Sequence, residues 1–221
     1  MHTDNDVIPA LYLASQSPRR RMMMGWLGIP IATTQAELDE TPLPGELPAH
    51  LATRLARMKA QAAIAGRPNT LVLTADTVVD FERESLGKPA DAAEAREMLL
   101  RLREGGHQVH TGVALARPDG ETHVRRVTTD VAMRPYTDAE IEAYIATGDP
   151  LDKAGAYAIQ HQGFHPVEKV QVCYANVVGL PLCAVVTLLQ QAGWTLSIDV
   201  PVLCYLHFGY RCPGPDAGVE V

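Results

Sequence analysis

The pattern of apolar and polar positions predicts a strand, helix, strand order at the start of the chain. The apolar residues Leu11 and Leu13 are followed by hydroxyl and arginine residues, and a helical pattern begins at Pro18. Between Leu71 and Val79 the apolar run is nearly continuous, which is typical of a strand covered on both faces of a sheet. The predicted elements are a strand at 11–14, a helix at 18–27 closed by Gly28, a strand at 29–36, a helix at 48–65 and a strand at 71–79.

Capping and turn signals mark the elements that follow. Asp91 with Glu94, and Thr137 with Glu140, have the spacing of capping boxes, and the turn sequence at 118–120 separates two strand-like runs as in a hairpin. The predicted elements are a helix at 91–104, strands at 109–117 and 121–134, a helix at 137–147, strand-like pieces at 156–159 and 167–172, and a helix at 181–192. Beyond Trp194 we expect an added strand and then a frayed terminus.

This order of elements predicts an α/β fold with a mixed central sheet flanked by helices. We expect residues 1–194 to form one domain, in which the break at 148–155 allows two lobes around one cleft, and residues 195–221 to form an extension of unknown role. Of the 221 residues, 47% are apolar and 20% charged, and the net charge of -7 favours a small anionic ligand over a nucleic-acid polymer. With neither a signal-peptide pattern nor an apolar run long enough for a membrane span, we expect a cytoplasmic protein.

The cysteines lie in the last quarter of the chain, at positions 173, 183, 204 and 212. Their spacing lacks the Cys-x-x-Cys pattern of zinc sites and redox pairs, so we expect thiols. A disulfide between Cys204 and Cys212 stays open as an alternative. Five histidines share neither a helical face nor a metal-ligand spacing, and we expect them at the surface or in the hairpin: His107, His110, His123, His161 and His165.

The segment from Ser15 to Arg21 has the properties of a phosphate site. Ser17 is placed to cap the helix, Pro18 suits its first position, and the unpaired backbone N–H groups there attract an anion that arginines can clamp. The alternative is an ordinary surface helix with solvated arginines.

Asp76 is a carboxylate inside a run that otherwise suits the core of a sheet. Because burying an unpaired carboxylate is costly, such a group is usually rescued by a metal ion, a cationic partner or a ligand cleft. The alternative places Asp76 and Thr77 at the exposed end of the strand, where they satisfy turn amides. Lys88, between Gly87 and Pro89, is well placed to direct a charge at a phosphate.

The remaining polar positions do not indicate a function when each is considered by itself. Lys59 lies on a helix of alanine and leucine and suits a snorkelling lysine. Glu40 suits either a metal ligand or a solvated acid, and Gln160 ends a glycine-containing loop where its amide is able to read a base edge. The segment from Asn176 to Leu182 suits a packing turn before a buried helix.

Together, five motifs resemble those of the Maf family of nucleoside triphosphate pyrophosphatases, in the family's order. They are Leu13-Ala14-Ser15-x-Ser17-Pro18-Arg19-Arg20, Ala75-Asp76-Thr77-Val78-Val79, Leu86-Gly87-Lys88-Pro89, Asp152-Lys153-Ala154-Gly155-Ala156-Tyr157-x-Ile159-Gln160 and Asn176-Val177-Val178-Gly179-Leu180-Pro181-Leu182. The resemblance covers residues 10–193. It implies an elongated fold, similar to that of inosine triphosphatases, around a nucleotide cleft. It also implies hydrolysis of a nucleoside triphosphate to the monophosphate and pyrophosphate with a divalent metal, Mg²⁺ or Mn²⁺.

The resemblance further implies roles for individual residues. Asp76 matches the family's catalytic proton acceptor, although a role as metal ligand stays open. Arg19, Thr77 and Gln160 match three positions associated with base choice, in a combination that resembles the dTTP/UTP branch. The residues that match polar cleft positions, for contact with phosphate or metal, are Ser15, Arg20, Glu40, Lys59 and Lys88, with Asp76 and Glu40 as candidate metal ligands. The chain departs from the family's usual sequence at 162–166 and 170–174. These departures leave open a substrate preference that differs from that of the family.

The function implied is metal-dependent hydrolysis of dTTP, UTP and modified pyrimidine nucleotides to the monophosphate and pyrophosphate. Such an enzyme has a house-cleaning role in the nucleotide pool. One alternative is a nucleotide-binding regulator of cell division or septum formation with little turnover, and another is a pyrophosphatase with a different base preference, such as 7-methyl-GTP. As partners we expect a nucleoside triphosphate, no nucleic-acid polymer and no membrane, and the resemblance leaves room for a homodimer.

Overall fold

The computed structural model describes residues 10–35, 38–103, 105–214 and 217–220. Its strands form a single mixed sheet with the order β2-β1-β3-β5-β6-β7, while β4 pairs with β3 and β8 with β6. The strands are β1 (Ala10–Ala14), β2 (Ala32–Thr34), β3 (Thr70–Phe81), β4 (Glu84–Leu86), β5 (Gly106–Ala116), β6 (Thr122–Met133), β7 (Val167–Gln171) and β8 (Val219–Glu220). Strand β1 is parallel to β2 and β3, and the other pairings are antiparallel, which confirms the mixed sheet and the hairpin.

Side-chain caps at Ser17, Thr137 and Asp199 satisfy the first backbone N–H groups of the helices that follow them, whereas the helix after Leu47 begins without one. They are α1 (Pro18–Trp26), α2 (Pro48–Ile64), α3 (Ala92–Arg103), α4 (Asp138–Ile145), α5 (Tyr174–Val178), α6 (Leu182–Gln191) and α7 (Val200–Phe208), with short 3₁₀ turns at Asp149–Asp152 and Ala154–Ala156. The side chain of Ser17 accepts from the backbone N–H of Arg20, and both halves of the capping box of Thr137 and Glu140 are present. The starts predicted for α1 and α4 are therefore confirmed.

Apolar side chains cover both faces of the central strands, as the continuous run in β3 predicted. On one face, alanines of α2 pack against Val72 and Ala114. On the other face, α1 and α6 pack against one end of the strands, and α3 and α4 against the other end. Helix α2 comes very close to β5 at Gly112, where an added Cβ would lie 2.4 Å from the carbonyl oxygen of Ala52. Only glycine permits this approach, which fixes α2 across the middle of β3.

Strand β3 leaves part of one edge open. Along that edge β1 pairs only with residues 70–73 of β3, and β4 only with residues 79–81. In the part of the chain that the structure describes, residues 74–78 therefore have no strand beside them on that side. Asp76 lies in the middle of this open stretch, 7% exposed, so the alternative of a turn at the exposed strand end is wrong.

Several sequence predictions are corrected by long-range packing. The tail after Trp194 forms helix α7 rather than an added strand, and residues 156–159 form a 3₁₀ turn and loop rather than a strand. The strand predicted at 29–36 is only Ala32–Thr34 among its described residues, since only these three residues pair with β1. Ala36 lies outside the described residues. His107 and His110 are buried on β5, 4% and 3% exposed, rather than at the surface. Cys204 and Cys212 are not joined by a disulfide.

Candidate active site

A cleft of about 1100 Å³ opens at the free edge of β3. It is lined by every residue that the sequence nominated for the site: Ser15, Arg19, Arg20, Glu40, Lys59, Asp76, Thr77, Lys88 and Gln160. These residues come from the loop after β1, the first turn of α1, the loop before α2, α2 itself, β3, and the loops after β4 and before β7. A smaller cavity of about 450 Å³, beside His107, contains none of them.

The carboxylate of Asp76 is paired with a cation from α2. The Nζ of Lys59 lies 2.5 Å from Oδ1 of Asp76 and 2.6 Å from Oε1 of Glu40, so a single ammonium group bridges two carboxylates. Helix α2 is held in the position that permits this contact by Gly112 and by the hydroxyl of Thr74, which donates to the carbonyl of Ala56 at 2.7 Å. Lys59 is therefore part of the cleft rather than a snorkelling surface lysine.

The loop that carries Glu40 is tied back to α2 by an arginine. Arg54 donates from Nη2 to the carbonyl oxygen of Thr41 at 3.1 Å and from Nε to Oε1 of Glu46 at 2.7 Å. Because Arg54 lies on the same helix as Lys59, one element positions both the lysine and the acidic loop facing it.

Burial raises the pKa of Asp76 above its ordinary value of 3.8. The positive charges of Lys59 and Arg20 act in the opposite direction, and the nearby carboxylate of Glu40 adds a smaller rise. Desolvation thus outweighs the ion pair, and the group holds its proton more strongly than a surface aspartate does. A raised pKa in a cleft is typical of carboxylates that exchange protons with a substrate or a water molecule.

Arg20 joins three separate parts of the cleft. Its Nε donates to the carbonyl oxygen of Gly179 at 2.8 Å, Nη2 to Oγ1 of Thr77 at 3.1 Å, and Nη1 to Oγ of Ser15 at 3.4 Å. Gly179 ends α5 with a φ of 117°, a conformation that favours glycine. The guanidinium is therefore held in one orientation, which preorganises its charge toward the cleft.

Asp76 and Thr77 are consecutive on a strand, so their side chains point to opposite faces of the sheet. Oγ1 of Thr77 lies 2.9 Å from Oγ1 of Thr111, on the face of Arg20, whereas Asp76 faces α2. Both faces remain reachable from the cleft because β3 has an open edge between β1 and β4. Arg19 is half-buried, and Lys88 and Gln160 are exposed on the walls of the same cleft.

Two supporting residues escaped the analysis of the sequence as site residues. Lys153 is buried, and its Nζ binds the carbonyl and Oδ1 of Asp149 and Oδ1 of Asp152, which fixes the loop leading to Gln160. Asn176 is fully buried, and its Nδ2 donates to the carbonyl of Val109 at 2.8 Å. Both lie within the quoted motifs, but only their partners show that they position neighbouring residues; Lys153 also lines the cleft, whereas Asn176 does not.

The oxygen donors near Lys59 suit a hard divalent cation. Asp76 and Glu40 supply carboxylates, and Mg²⁺ is usually held by one or two carboxylates together with substrate phosphates and water. Among the described residues, three or more His, Cys, Asp or Glu side chains do not gather into a metal cage. The residues present therefore fit a cation that arrives with a phosphate ligand rather than one enclosed by the protein.

The chain is similar in sequence to known proteins. Residues 10–192 match the profile of a family described as Maf-like protein. A dTTP/UTP pyrophosphatase of Anaeromyxobacter dehalogenans (strain 2CP-C) is 47% identical over 196 residues, which are 87% of this chain and 99% of that protein. Another of Thermomicrobium roseum is 50% identical over 215 residues, 95% of each chain.

Among solved structures, a HAM1 protein from Coxiella burnetii is 17% identical, covers 58% of this chain and 74% of its own, and superposes with a TM-score of 0.43, too low to support an argument. No helix among the described residues is both long and apolar enough to span a membrane. The family profile alone extends over most of the chain, and two relatives are close to half identical over nearly their whole length. This chain therefore belongs to the Maf-like protein family.

Proposed function

We propose that this chain hydrolyses dTTP and UTP to the nucleoside monophosphate and pyrophosphate, and so removes nucleotides from the cytoplasmic pool. Its relatives bear the name dTTP/UTP pyrophosphatase and align with 78% or more of its length. The observation that carries the proposal is the buried carboxylate of Asp76, paired with Lys59 in a cleft that also contains two arginines. A triphosphate needs just such a combination of a proton acceptor and fixed positive charges.

In the proposed reaction, Asp76 takes the proton from the water that attacks the α-phosphorus, and pyrophosphate leaves. Burial raises the pKa of Asp76 toward the range in which a carboxylate accepts a proton effectively, while Lys59 keeps it ionised. Arg20, held by Ser15, Thr77 and Gly179, contributes fixed charge next to the phosphates. Arg19 and Lys88 extend this positive wall along the triphosphate.

We further propose that Asp76 and Glu40 hold a divalent cation, Mg²⁺ or Mn²⁺, together with phosphate oxygens of the substrate. When bound, such a cation neutralises phosphate charge and stabilises the leaving group. The support for this assignment is the pair of carboxylates that share the ammonium of Lys59. Lys59 keeps these carboxylates close together before substrate arrives, since their mutual repulsion is otherwise uncompensated.

For base choice we propose Arg19, Thr77 and Gln160. Gln160 is exposed on a loop anchored by Lys153, and an amide offers both a donor and an acceptor to the edge of a pyrimidine. The hydroxyl of Thr77 is bonded to Arg20 and Thr111, so we infer that it sets the depth of the pocket rather than binding the base alone. Replacing Gln160 by Ala is expected to lower kcat/KM for dTTP more than for 7-methyl-GTP.

The direct test measures pyrophosphate released by the purified chain from dTTP, UTP, CTP and 7-methyl-GTP, with Mg²⁺, with Mn²⁺ and with a chelator. We expect the highest kcat/KM with dTTP or UTP and loss of activity with the chelator. The variant Asp76→Asn is expected to lose a hundredfold or more of kcat, roughly the contribution of a general base. Asp80→Asn is the matched control, because Asp80 is on the same strand and face but its Oδ2 contacts His110 outside the cleft. Undiminished turnover in Asp76→Asn would contradict the proposed role.

A further inference from the structure

The four cysteines of the chain come from separate segments of the sequence but lie in or against the same part of the core. Cys173 precedes α5, Cys183 lies in the first turn of α6, Cys204 is on α7, and Cys212 follows α7. The Sγ atoms of Cys183 and Cys212 are 4.0 Å apart, and Cys173, Cys183 and Cys204 belong to one buried cluster against which Cys212 packs. These four residues of the same packed region are called the thiol cluster.

Packing alone gives a weak account of the thiol cluster. A buried cysteine behaves as a small apolar residue, and nothing in apolar packing requires cysteines from separate segments to meet one another. The 4.0 Å separation is about twice the sulfur–sulfur bond length of a disulfide, roughly 2 Å. It is close to the spacing of about 3.8 Å between two thiolates that share a tetrahedral zinc ion with Zn–S bonds of about 2.3 Å.

The surroundings of the thiol cluster favour a closed structural site. Cys173, Cys183 and Cys204 are buried, Cys212 is half-buried, and apolar residues of the main core surround them. Thiolate ligands in an apolar setting select soft or borderline metals such as zinc over Mg²⁺. Among the described residues no three side chains are yet in metal-ligand geometry, so binding requires the thiols to turn toward a common centre.

We propose that the thiol cluster binds a structural zinc ion that fastens the carboxyl-terminal segment to the nucleotide-binding fold. Binding converts four thiols and one Zn²⁺ into a tetrathiolate complex and releases four protons to solvent, with no change of oxidation state. This site is separate from the cation proposed at Asp76 and Glu40, which are hard oxygen ligands on the far side of β3 from α5.

The proposed ion explains how a short, exposed helix remains in place. Helix α7 exposes Val202, Tyr205 and Leu206. It contacts the rest of the chain chiefly through Val200, Cys204, His207, whose ring is stacked on that of Trp26, and Phe208, whose ring meets Trp26 edge-on. A family profile that ends at residue 192 does not include this helix. The Thermomicrobium roseum relative, however, aligns with 95% of the chain, which leaves too few unaligned residues to omit α7.

The thiol cluster also connects to the cleft through α5. This helix begins directly after Cys173 and ends at Gly179, whose carbonyl oxygen accepts from Arg20. Loss of the ion is therefore expected to loosen the carboxyl-terminal segment first and to weaken the hold on Arg20 second.

The test determines metal content of the full-length chain, purified under reducing conditions without added metal, by mass spectrometry of the elements. We expect about one zinc ion per chain, and, after exchange with Co²⁺, the thiolate-to-cobalt absorption of a tetrahedral four-sulfur site. Cys204→Ser and Cys212→Ser are expected to retain only traces of zinc and to melt at a lower temperature. Leu206→Ala, on the same helix but 72% exposed, is the matched control and is expected to retain the ion.

Of the two serine variants, Cys212→Ser is the one expected to stay folded, because Cys212 is half-buried and serine is similar in size to cysteine. The circular dichroism spectrum and the elution volume of this variant should match those of the parent. The proposal is overturned if the folded, reduced parent chain binds neither zinc nor cobalt when either is supplied in excess. It is equally overturned if the intact mass is lower by two hydrogens per cysteine pair, which means a disulfide, or if iron and sulfide are found in place of zinc.

Discussion

Replacing Lys59 by Met isolates the ion pair at the centre of the cleft. Lys59 and Asp76 form a pair with side chains 13% and 10% exposed, so the variant leaves a nearly buried carboxylate without its nearest cation. The methionine is similar in length and apolar, which preserves the packing of α2 against the sheet. The change therefore tests electrostatics rather than cavity formation.

The expected loss of stability follows from the burial of the pair. Breaking a buried ion pair on one side costs roughly 3–5 kcal/mol. We expect the lower figure, about 3 kcal/mol, because Glu40 is 60% exposed and recovers its hydration when Lys59 is removed. For a chain of this size that loss lowers Tm by roughly 6–12 °C.

The loss should depend on pH in a definite direction. Burial raises the folded pKa of Asp76 above its ordinary value of 3.8, and removing Lys59 raises that pKa further. Between the unfolded and the folded pKa, the native state binds more protons than the unfolded state, so stability falls as pH rises through that window. The destabilisation by Lys59→Met is therefore larger at alkaline than at mildly acidic pH, and the acid limb of kcat/KM moves to higher pH.

The assay is urea unfolding of the parent, Lys59→Met, Lys59→Arg and the double variant Lys59→Met with Asp76→Asn, at about pH 5 and about pH 8. Lys59→Arg keeps the charge and should follow the parent. In the double variant the neutral amide needs no cation, so most of the lost stability should return. Equal destabilisation at both pH values, together with a double variant no more stable than Lys59→Met, refutes the conclusion that a buried charge at Asp76 determines the effect.

Three further changes test the supports of the cleft. Gly112→Ala introduces a Cβ 2.4 Å from the carbonyl oxygen of Ala52, so α2 must shift and unfolding in urea should show a loss of about 2 kcal/mol or more; an unchanged midpoint contradicts the close approach. Lys153→Met removes three contacts that fix the loop of Gln160. Steady-state kinetics should show a several-fold higher KM for dTTP with a smaller change in kcat. A several-fold fall in kcat with an unchanged KM contradicts a positioning role. Thr137→Ala removes the capping box of α4, remote from the cleft, and should cost about 1 kcal/mol in urea unfolding while kcat/KM stays at the parental value.

Local signals predicted much of the fold because they act within a few residues. The capping box at Thr137 and the serine cap at Ser17 satisfy N–H groups three positions away, so sequence spacing is sufficient to place those helix starts. The continuous apolar run likewise predicted that β3 is covered on both faces. The tail was mispredicted although it carries helix signals: Asp199 caps α7, and Gly209 ends it. There the apolar residues suggested a strand, but the segment packs as a helix, with Val200 and Cys204 in the main core and His207 stacked on Trp26.

By itself the sequence determined that Asp76 needs a partner, since its apolar neighbours exclude water whatever the fold. Which partner it has was decided by tertiary structure, because the choice depends on where α2 crosses β3. The contact with Lys59 spans 17 positions, and the bond from Arg20 to Gly179 spans 159, so neither leaves a periodic trace in the sequence. The meeting of the four cysteines is of the same kind: each looks like an isolated apolar residue until α5, α6 and α7 are packed together.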